Sequence, residues 1–201
     1  VLVGTIEGSQ AALWQLAAKR PARRVALPFP GAVRVLSTVD NSDEAYIGLT
    51  GWLQPTAVVH LDAAGRLRPT GMGSQPAGHD PARYEVRSGS ATSADGTRIP
   101  YTLLSRQGRA AQGPGPLLLE AYGAYGVAAM PFFQTALMPF LDRGGRYVIA
   151  HVRGGGEFGR DWHFGGRGPT KANTWKDAIA VAEALVRDQA TSPAQMSILG
   201  T

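Results

Sequence analysis

The sequence contains no cysteine, few charged residues (17%) and no long hydrophobic run. Without cysteine it can form no disulfide, thiolate zinc site, iron–sulfur cluster or cysteine nucleophile. No apolar run approaches the roughly 18–20 residues that cross a bilayer, so we expect no membrane partner. The first residues, Val1–Gly4, include neither an initiator methionine nor a signal-peptide layout, and we expect an internal part of a longer protein. The compartment, cytoplasm or periplasm, and the oligomeric state stay open.

Apolar residues make up 44% of the chain, which is enough for a hydrophobic core, and 26 glycines and 14 prolines indicate many tight turns. The formal net charge is +5, yet the basic residues are scattered. Their densest cluster, Lys19 to Arg24, has no interleaved aromatic side chains of the kind that stack on bases. We therefore expect a solvated basic surface and no nucleic-acid partner.

The N-terminal part of the chain has the pattern of short β-strands. Apolar runs at Val33–Val39, Ala45–Thr50 and Ala57–Leu61 are separated by turn clusters, which predicts an antiparallel meander such as one propeller blade. Residues 63–82 are rich in Gly, Pro, Arg and Ser, and this composition predicts a linker and a domain boundary near residue 80.

After residue 80 the pattern predicts strands alternating with helices, an α/β fold with a mostly parallel sheet. Thr174 is expected to cap the second helix, with Asp177 as its capping-box partner. The predicted strands are Tyr84–Arg87, Ile99–Leu104, Pro116–Ala121, Arg146–Val152 and one beginning at Met196, and the predicted helices are Phe132–Asp142 and Thr174–Asp188.

The run from Arg153 to His163 is unusually rich in glycine and follows a predicted strand. Its glycines formally match the G-x-G-x-x-G dinucleotide fingerprint. Residues 160–169 are not expected to be helical, and no acidic residue stands at a strand end about 20 positions on, so we expect no cofactor. The glycines would instead permit positive φ and close backbone packing under a site, with an Arg153–Glu157 salt bridge holding the loop. The site-supporting residues are Arg153, Gly154, Gly155, Gly156 and Glu157.

Two tyrosines, Tyr122 and Tyr125, lie in a glycine-hinged loop directly after a predicted buried strand. Ligands of open parallel sheets bind at the carboxyl ends of the strands, and a phenol there could donate a hydrogen bond to an oxyanion. A packed aromatic turn explains the same pattern equally well. His151 and His163 are interpreted as structural, and nothing has metal-ligand spacing, so no metal site is expected.

Five motifs in this order resemble those of the prolyl oligopeptidase family of serine peptidases. They are Ser93–Pro100, Tyr122–Gly126, Arg153–Gly159 with Trp162 and His163, Lys171–Asn173, and Ser192 to Thr201. The resemblance implies an α/β-hydrolase catalytic domain packed against a β-propeller. Residues 1–80 would then be the C-terminal blade portion of the propeller, and residues 81–201 the first half of the hydrolase domain. It also implies hydrolysis of short peptides through an acyl-enzyme, after Pro or after Lys/Arg, without a cofactor.

The resemblance also assigns roles to individual residues. Tyr122 matches the tyrosine that donates to the oxyanion, and Tyr125 matches an aromatic residue of the primary specificity pocket. Tyr125 and its surroundings resemble oligopeptidase B, so the resemblance leaves the choice between Pro and Lys/Arg open. Gly200-Thr201 matches the first two letters of the nucleophile motif, and the Ser, Asp and His of the triad follow later in this family. The 201 residues alone are therefore expected to be inactive.

Two other classes of function stay open from the sequence. The first is a non-catalytic binding module on an α/β-hydrolase-like scaffold, which a non-nucleophilic residue after Thr201 would favour. The second is a dinucleotide-binding oxidoreductase, which NAD(P) binding would reveal.

Overall fold

The computed structural model describes residues 1–200, apart from the side chains of residues 110 and 111. Thr201, which the sequence analysis placed in the nucleophile motif, lies outside the described residues. The chain forms two compact units. One contains Val1–His79 with Met130–Phe133, and the other contains Asp80–Ala129 and the residues from Gln134 onward.

The first unit consists of two antiparallel sheets. One has three strands, β1 (Leu2–Glu7), β2 (Gln10–Gln15) and β3 (Arg23–Val25), and the other has four, β4 (Ala32–Thr38), β5 (Ala45–Thr50), β6 (Ala57–Leu61) and β7 (Leu67–Gly73). Alternate residues such as Ile47, Leu49 and Leu61 are buried in a common core with Leu13 of β2. This is the arrangement expected of strands with one buried face.

Residues 63–82 are not only a linker, because they contain β7. This strand pairs with β6 alone and is therefore an edge strand of its sheet. Edge strands tolerate proline and glycine, since their outer N–H groups need no partner in the sheet, and β7 contains Pro69, Gly71 and Gly73. Its composition resembles that of a loop for this reason.

The second unit contains a mixed five-stranded sheet in the order β12-β10-β11-β9-β8. Its strands are β8 (Tyr84–Thr92), β9 (Arg98–Arg106), β10 (Leu117–Ala121), β11 (Arg146–Ala150) and β12 (Met196–Gly200). The α/β class is confirmed, but the sheet is not mostly parallel. β10 runs parallel to β11 and β12, whereas β9 pairs antiparallel with its hairpin partner β8 and also with β11.

Three α-helices accompany this sheet in residues 1–200: α1 (Met138–Asp142), α2 (Arg160–Phe164) and α3 (Ala172–Arg187). The first is shorter than predicted, because a 3₁₀ turn at Thr135–Leu137 precedes it. The second contradicts the expectation that residues 160–169 are not helical, because one short helical turn forms before Gly165 and Gly166. No helix in this part of the chain is long and apolar enough to cross a membrane.

Helix α3 covers one face of the sheet. Val181, Ala184 and Leu185 pack in one core with Leu119 of β10 and Val148 of β11, and all five side chains are almost fully buried. Burying a side chain such as Leu185 contributes about 1.5–3 kcal/mol to folding. This contact fixes the N-terminal turn of α3 close to the loops that follow β10 and β11.

Candidate active site

The loops with the candidate residues leave the sheet at one edge. Because β10, β11 and β12 are parallel, their carboxyl ends lie together. The Tyr122–Gly126 loop follows β10, and a glycine loop, residues 151–159, follows β11. Gly200 at the end of β12 pairs with Ala121 at the end of β10. Ligands of sheets of this type bind at this edge.

The two loops pack backbone against backbone. The Gly126 N–H donates to the Gly154 carbonyl oxygen at 3.0 Å. A Cβ on Gly154 would overlap the Gly123 carbonyl oxygen, and one on Gly156 would overlap the Gly126 carbonyl oxygen. Gly123 and Gly154 also have φ of +63° and +100°, a region that side chains other than glycine rarely adopt. These glycines therefore face neighbouring backbone, not the open crevice that a dinucleotide pyrophosphate would need.

Arg153 anchors the glycine loop, although not through the predicted partner. Its backbone N–H and Nε donate to Asp177 Oδ2 at 3.0 and 2.9 Å, and its Nη2 donates to Oδ1 at 2.7 Å. The side chain of Asp177 is fully buried. The predicted Arg153–Glu157 salt bridge is wrong, because the guanidinium turns toward α3. The predicted capping role of Asp177 is also wrong, since α3 begins at Ala172 and this carboxylate binds Arg153.

Further polar groups complete the surroundings of Arg153. Ser93 Oγ donates to Asp177 Oδ1 at 2.7 Å, and Arg153 Nη1 donates to Asp95 Oδ2 and to Thr97 Oγ1. The hydrogen bonds to Asp177 raise the pKa of Arg153 above its ordinary range. The hydrogen bond from Arg153 lowers the pKa of Asp95 below its ordinary range. Arg153 and Asp95 are therefore ionised at neutral pH, and the whole cluster holds the β8–β9 turn, the glycine loop and α3 together.

Glu157 forms a second buried polar cluster with His151. Glu157 Oε1 accepts the Ala129 N–H at 2.9 Å and lies 3.6 Å from His151 Nδ1. His151 Nε2 is 2.9 Å from Thr102 Oγ1, and both ionisable side chains are almost fully buried. Glu157 thus holds the segment after Tyr125 to the glycine loop, and His151 is structural, as interpreted from the sequence.

The first turn of α3 satisfies carbonyl groups of both loops. Lys171 Nζ donates to the Gly123 carbonyl oxygen at 2.6 Å. Thr174 Oγ1 donates to the Arg153 carbonyl oxygen at 2.8 Å and lies 3.3 Å from that of Gly166. Thr174 is therefore a buried link between helix and loops, not the predicted helix cap.

The two tyrosines have different surroundings. The half-buried Tyr122 lines a surface depression with Ala124, Tyr125, Lys171 and Trp175, and its hydroxyl makes no hydrogen bond to another described residue. Tyr125 is 85% exposed, and its φ of +54° is strained for a tyrosine. Neither residue forms the packed aromatic turn that the sequence left open. A free phenol at this edge can donate to an oxyanion.

The structure brings together both tyrosines and the whole glycine loop. Among residues 1–200, no three His, Asp or Glu side chains are grouped so that they could hold a metal ion. Sequence reasoning missed Asp177, Ser93 and Asp95 as partners of Arg153. Ser93 and Asp95 lie in a recognised motif, Ser93–Pro100, but nothing in that motif indicates which residue it contacts.

Comparison with known proteins gives consistent results. A family model described as "Prolyl oligopeptidase family" matches residues 131–201. The uncharacterized peptidase y4nA of Sinorhizobium fredii is 34% identical over 179 residues, which cover 88% of this chain and 24% of the relative. The prolyl endopeptidase of Elizabethkingia miricola is 28% identical over 180 residues, which cover 89% of this chain and 25% of the relative.

A solved structure gives the same result. Oligopeptidase B from Trypanosoma brucei, with covalently bound antipain, superposes with a TM-score of 0.89 at 29% identity, covering 99% of this chain and 30% of that protein. The chain spans about a quarter of the length of the curated relatives it matches. The motifs, the fold and these matches agree, and the chain belongs to the prolyl oligopeptidase family.

Proposed function

We propose that this chain is part of a serine peptidase that hydrolyses short peptides, after Pro or Lys/Arg, through an acyl-enzyme. The observation that carries the proposal is the uncommitted Tyr122 hydroxyl at the carboxyl edge of the sheet, beside the ends of β10 and β12. A serine oxygen attacks the peptide carbonyl, and the phenol O–H donates to the oxygen that becomes negatively charged. The proposal assigns the nucleophile to sequence after β12, at a strand-to-helix turn.

The two units receive roles in the same proposal. The first unit, with its antiparallel sheets, is the C-terminal blade portion of a β-propeller, and the second is the first half of an α/β-hydrolase domain. Solved relatives named oligopeptidase B and prolyl oligopeptidase B, aligned over 99% of this chain, support this division. Short peptides are the proposed substrates; the Galerina marginata structures are named with a bound 25mer and a bound 35mer substrate.

The remaining candidates position the oxyanion donor. Gly123 and Gly126 place the tyrosine loop on the glycine loop, and Arg153 and Glu157 fix that loop to α3 and to the segment after Tyr125. Tyr125, exposed at the same edge, contacts the side chain of the residue before the scissile bond. Preorganised donors of this kind require no rearrangement during reaction, which is what makes them effective.

The test substitutes Tyr122→Phe in the complete peptidase and measures kcat on a peptide amide whose chemical step limits turnover. Loss of one oxyanion donor typically lowers kcat by about 10²–10³-fold. Tyr46→Phe, which removes the same atom from a tyrosine of β5 in the first unit, is the matched control and should leave kcat unchanged. An unchanged kcat for Tyr122→Phe would refute the assigned role. A complete protein that a fluorophosphonate probe does not label would refute the serine mechanism.

A further inference from the structure

A second surface depression, the basic depression, adjoins the one that contains Tyr122. Its volume is about 470 Å³, and its basic side chains are His163, Arg167 and Lys171. The rest of its lining is Ala124, Tyr125, Gly166 and Gly168, so no acidic side chain of the described residues lines it. The cationic side chains of Arg167 and Lys171, with no carboxylate beside them, make the depression electropositive.

The cationic groups here are not neutralised by ion pairs within residues 1–200. Lys171 Nζ donates to the Gly123 carbonyl oxygen and lies 3.3 Å from Thr174 Oγ1, so both partners are neutral. The Arg167 guanidinium lies 5.5 Å from the centre of the Phe164 ring, a contact that leaves its N–H donors open. Arginine favours planar, bidentate binding of carboxylates.

The histidine is oriented by the glycine loop. His163 Nδ1 lies 2.9 Å from the Gly154 carbonyl oxygen, so this nitrogen carries the proton and donates. Nε2 is then an acceptor, so His163 forms part of the wall of the depression and offers no donor to an anion. The loop that orients Tyr122 therefore also fixes one side of the basic depression.

The two depressions share three residues, Ala124, Tyr125 and Lys171. A peptide whose scissile carbonyl lies at Tyr122 can therefore extend past Tyr125 into the basic depression without leaving this edge. An extended residue spans about 3.3 Å, so three residues of a bound peptide span about 10 Å along this edge.

We propose that the basic depression is a subsite for a carboxylate of the peptide substrate, bound by Arg167 with Lys171. The carboxylate is either the C-terminus of a short peptide or an Asp or Glu side chain near the scissile bond. This proposal rests on the proposed peptidase function and adds a substrate preference to it.

The test compares Arg167→Gln with Arg160→Gln in the complete peptidase. Arg160 is the matched control, because its guanidinium also lies over the Phe164 ring, at 5.0 Å, but does not line the depression. Each variant is assayed on two matched pairs of peptides. The peptides of the first pair end in a free carboxylate or in an amide, and those of the second carry Asp or Asn near the scissile bond. The peptide pair whose two members differ in KM, and lose that difference in Arg167→Gln, identifies the source of the carboxylate.

We expect Arg167→Gln to raise KM for the carboxylate peptide about fivefold and to leave the amide peptide unchanged, as loss of one partly exposed ion pair implies. Arg167→Lys should retain most of the preference, and added salt should weaken it. Equal effects on both peptides, or equal effects of Arg160→Gln, would overturn the proposal.

Binding of an uncleavable peptide pair, with a reduced peptide bond, separates this proposal from the catalytic one. If the parent protein binds the carboxylate form more tightly and Arg167→Gln abolishes the difference, the subsite is supported even where Tyr122→Phe leaves kcat unchanged. If both forms bind equally to the parent protein, the subsite proposal is wrong whatever the result for Tyr122.

Discussion

Replacing the buried carboxylate with Asp177→Asn tests how the glycine loop is held. In the parent protein this carboxylate accepts three N–H groups of Arg153, at 2.7 to 3.0 Å, and the hydroxyl of Ser93 at 2.7 Å. The substitution removes the negative charge and presents an amide NH₂ to donors. Among the described residues, the guanidinium, 9% exposed, then keeps Asp95 as its one carboxylate partner.

The expected loss of stability is large. Removing one partner of a buried ion pair typically costs about 3–5 kcal/mol, because the other charge stays buried without compensation. In a cooperative unit of about 150–250 residues, 1 kcal/mol shifts Tm by about 2–4 °C, so we expect Tm to fall by about 6–20 °C, and by less where a larger unit unfolds together. The measurement is thermal unfolding of the complete peptidase at neutral pH and one fixed scan rate.

Two variants control this experiment. Asp95→Asn makes the same chemical change to the other partner of Arg153, but Asp95 is 45% exposed, and such pairs contribute about 0–1 kcal/mol. The double substitution Arg153→Met with Asp177→Leu removes both buried charges and should recover much of the lost stability. A Tm for Asp177→Asn no lower than that for Asp95→Asn would refute the reasoning.

Two further predictions concern the glycine loop and the sheet. Gly156→Ala should lower kcat because its Cβ would displace Gly126. Gly159→Ala meets no atom within 4 Å, so it should cost about 1–3 kcal/mol of stability through its φ of +80° and lower kcat less than Gly156→Ala does. Equal kcat values for the two variants would contradict this. Burial raises the pKa of Glu120 above its ordinary value of 4.5, so its ionisation lowers stability as pH rises through and above that value. Glu120→Gln should therefore unfold at higher urea concentration than the parent at pH 7 and at the same concentration near pH 3.5, and an advantage that persists in acid would exclude this cause.

Elements with clear local patterns could be predicted from the sequence. β5 and β6 have the predicted bounds, Ala45–Thr50 and Ala57–Leu61, since apolar residues that pack in the core stand between evident turns. The predicted helix at Thr174–Asp188 is α3, shifted by one or two residues. The predicted start was wrong because threonine is a common N-cap residue. In the structure the Thr174 hydroxyl instead donates to the Arg153 carbonyl oxygen of the glycine loop.

The contacts that hold the site together could not be predicted in the same way. Arg153 and Asp177 are 24 positions apart, and Ser93 is 84 positions from Asp177. Which acid meets Arg153 depends on how α3 crosses the sheet, and no local spacing encodes that. Glu157, four positions from Arg153, satisfies a local rule for an ion pair but turns instead toward His151.

The strained backbone of Tyr125 requires hydrogen bonds that hold the tyrosine loop and the glycine loop in place. A non-glycine residue at φ of +54°, as in Tyr125, costs about 1–2 kcal/mol and persists only where neighbouring contacts enforce it. Here the Gly126 N–H is held by the Gly154 carbonyl, and the Val127 N–H by that of Ala124, both at 3.0 Å. Because Gly154 follows Arg153 directly, the buried ion pair with α3 restrains the same loop that enforces the tyrosine. Loss of the Gly126–Gly154 hydrogen bond, or of the Arg153–Asp177 ion pair behind it, should therefore release Tyr125 toward ordinary φ values. Tyr122, in the same loop, should move with it.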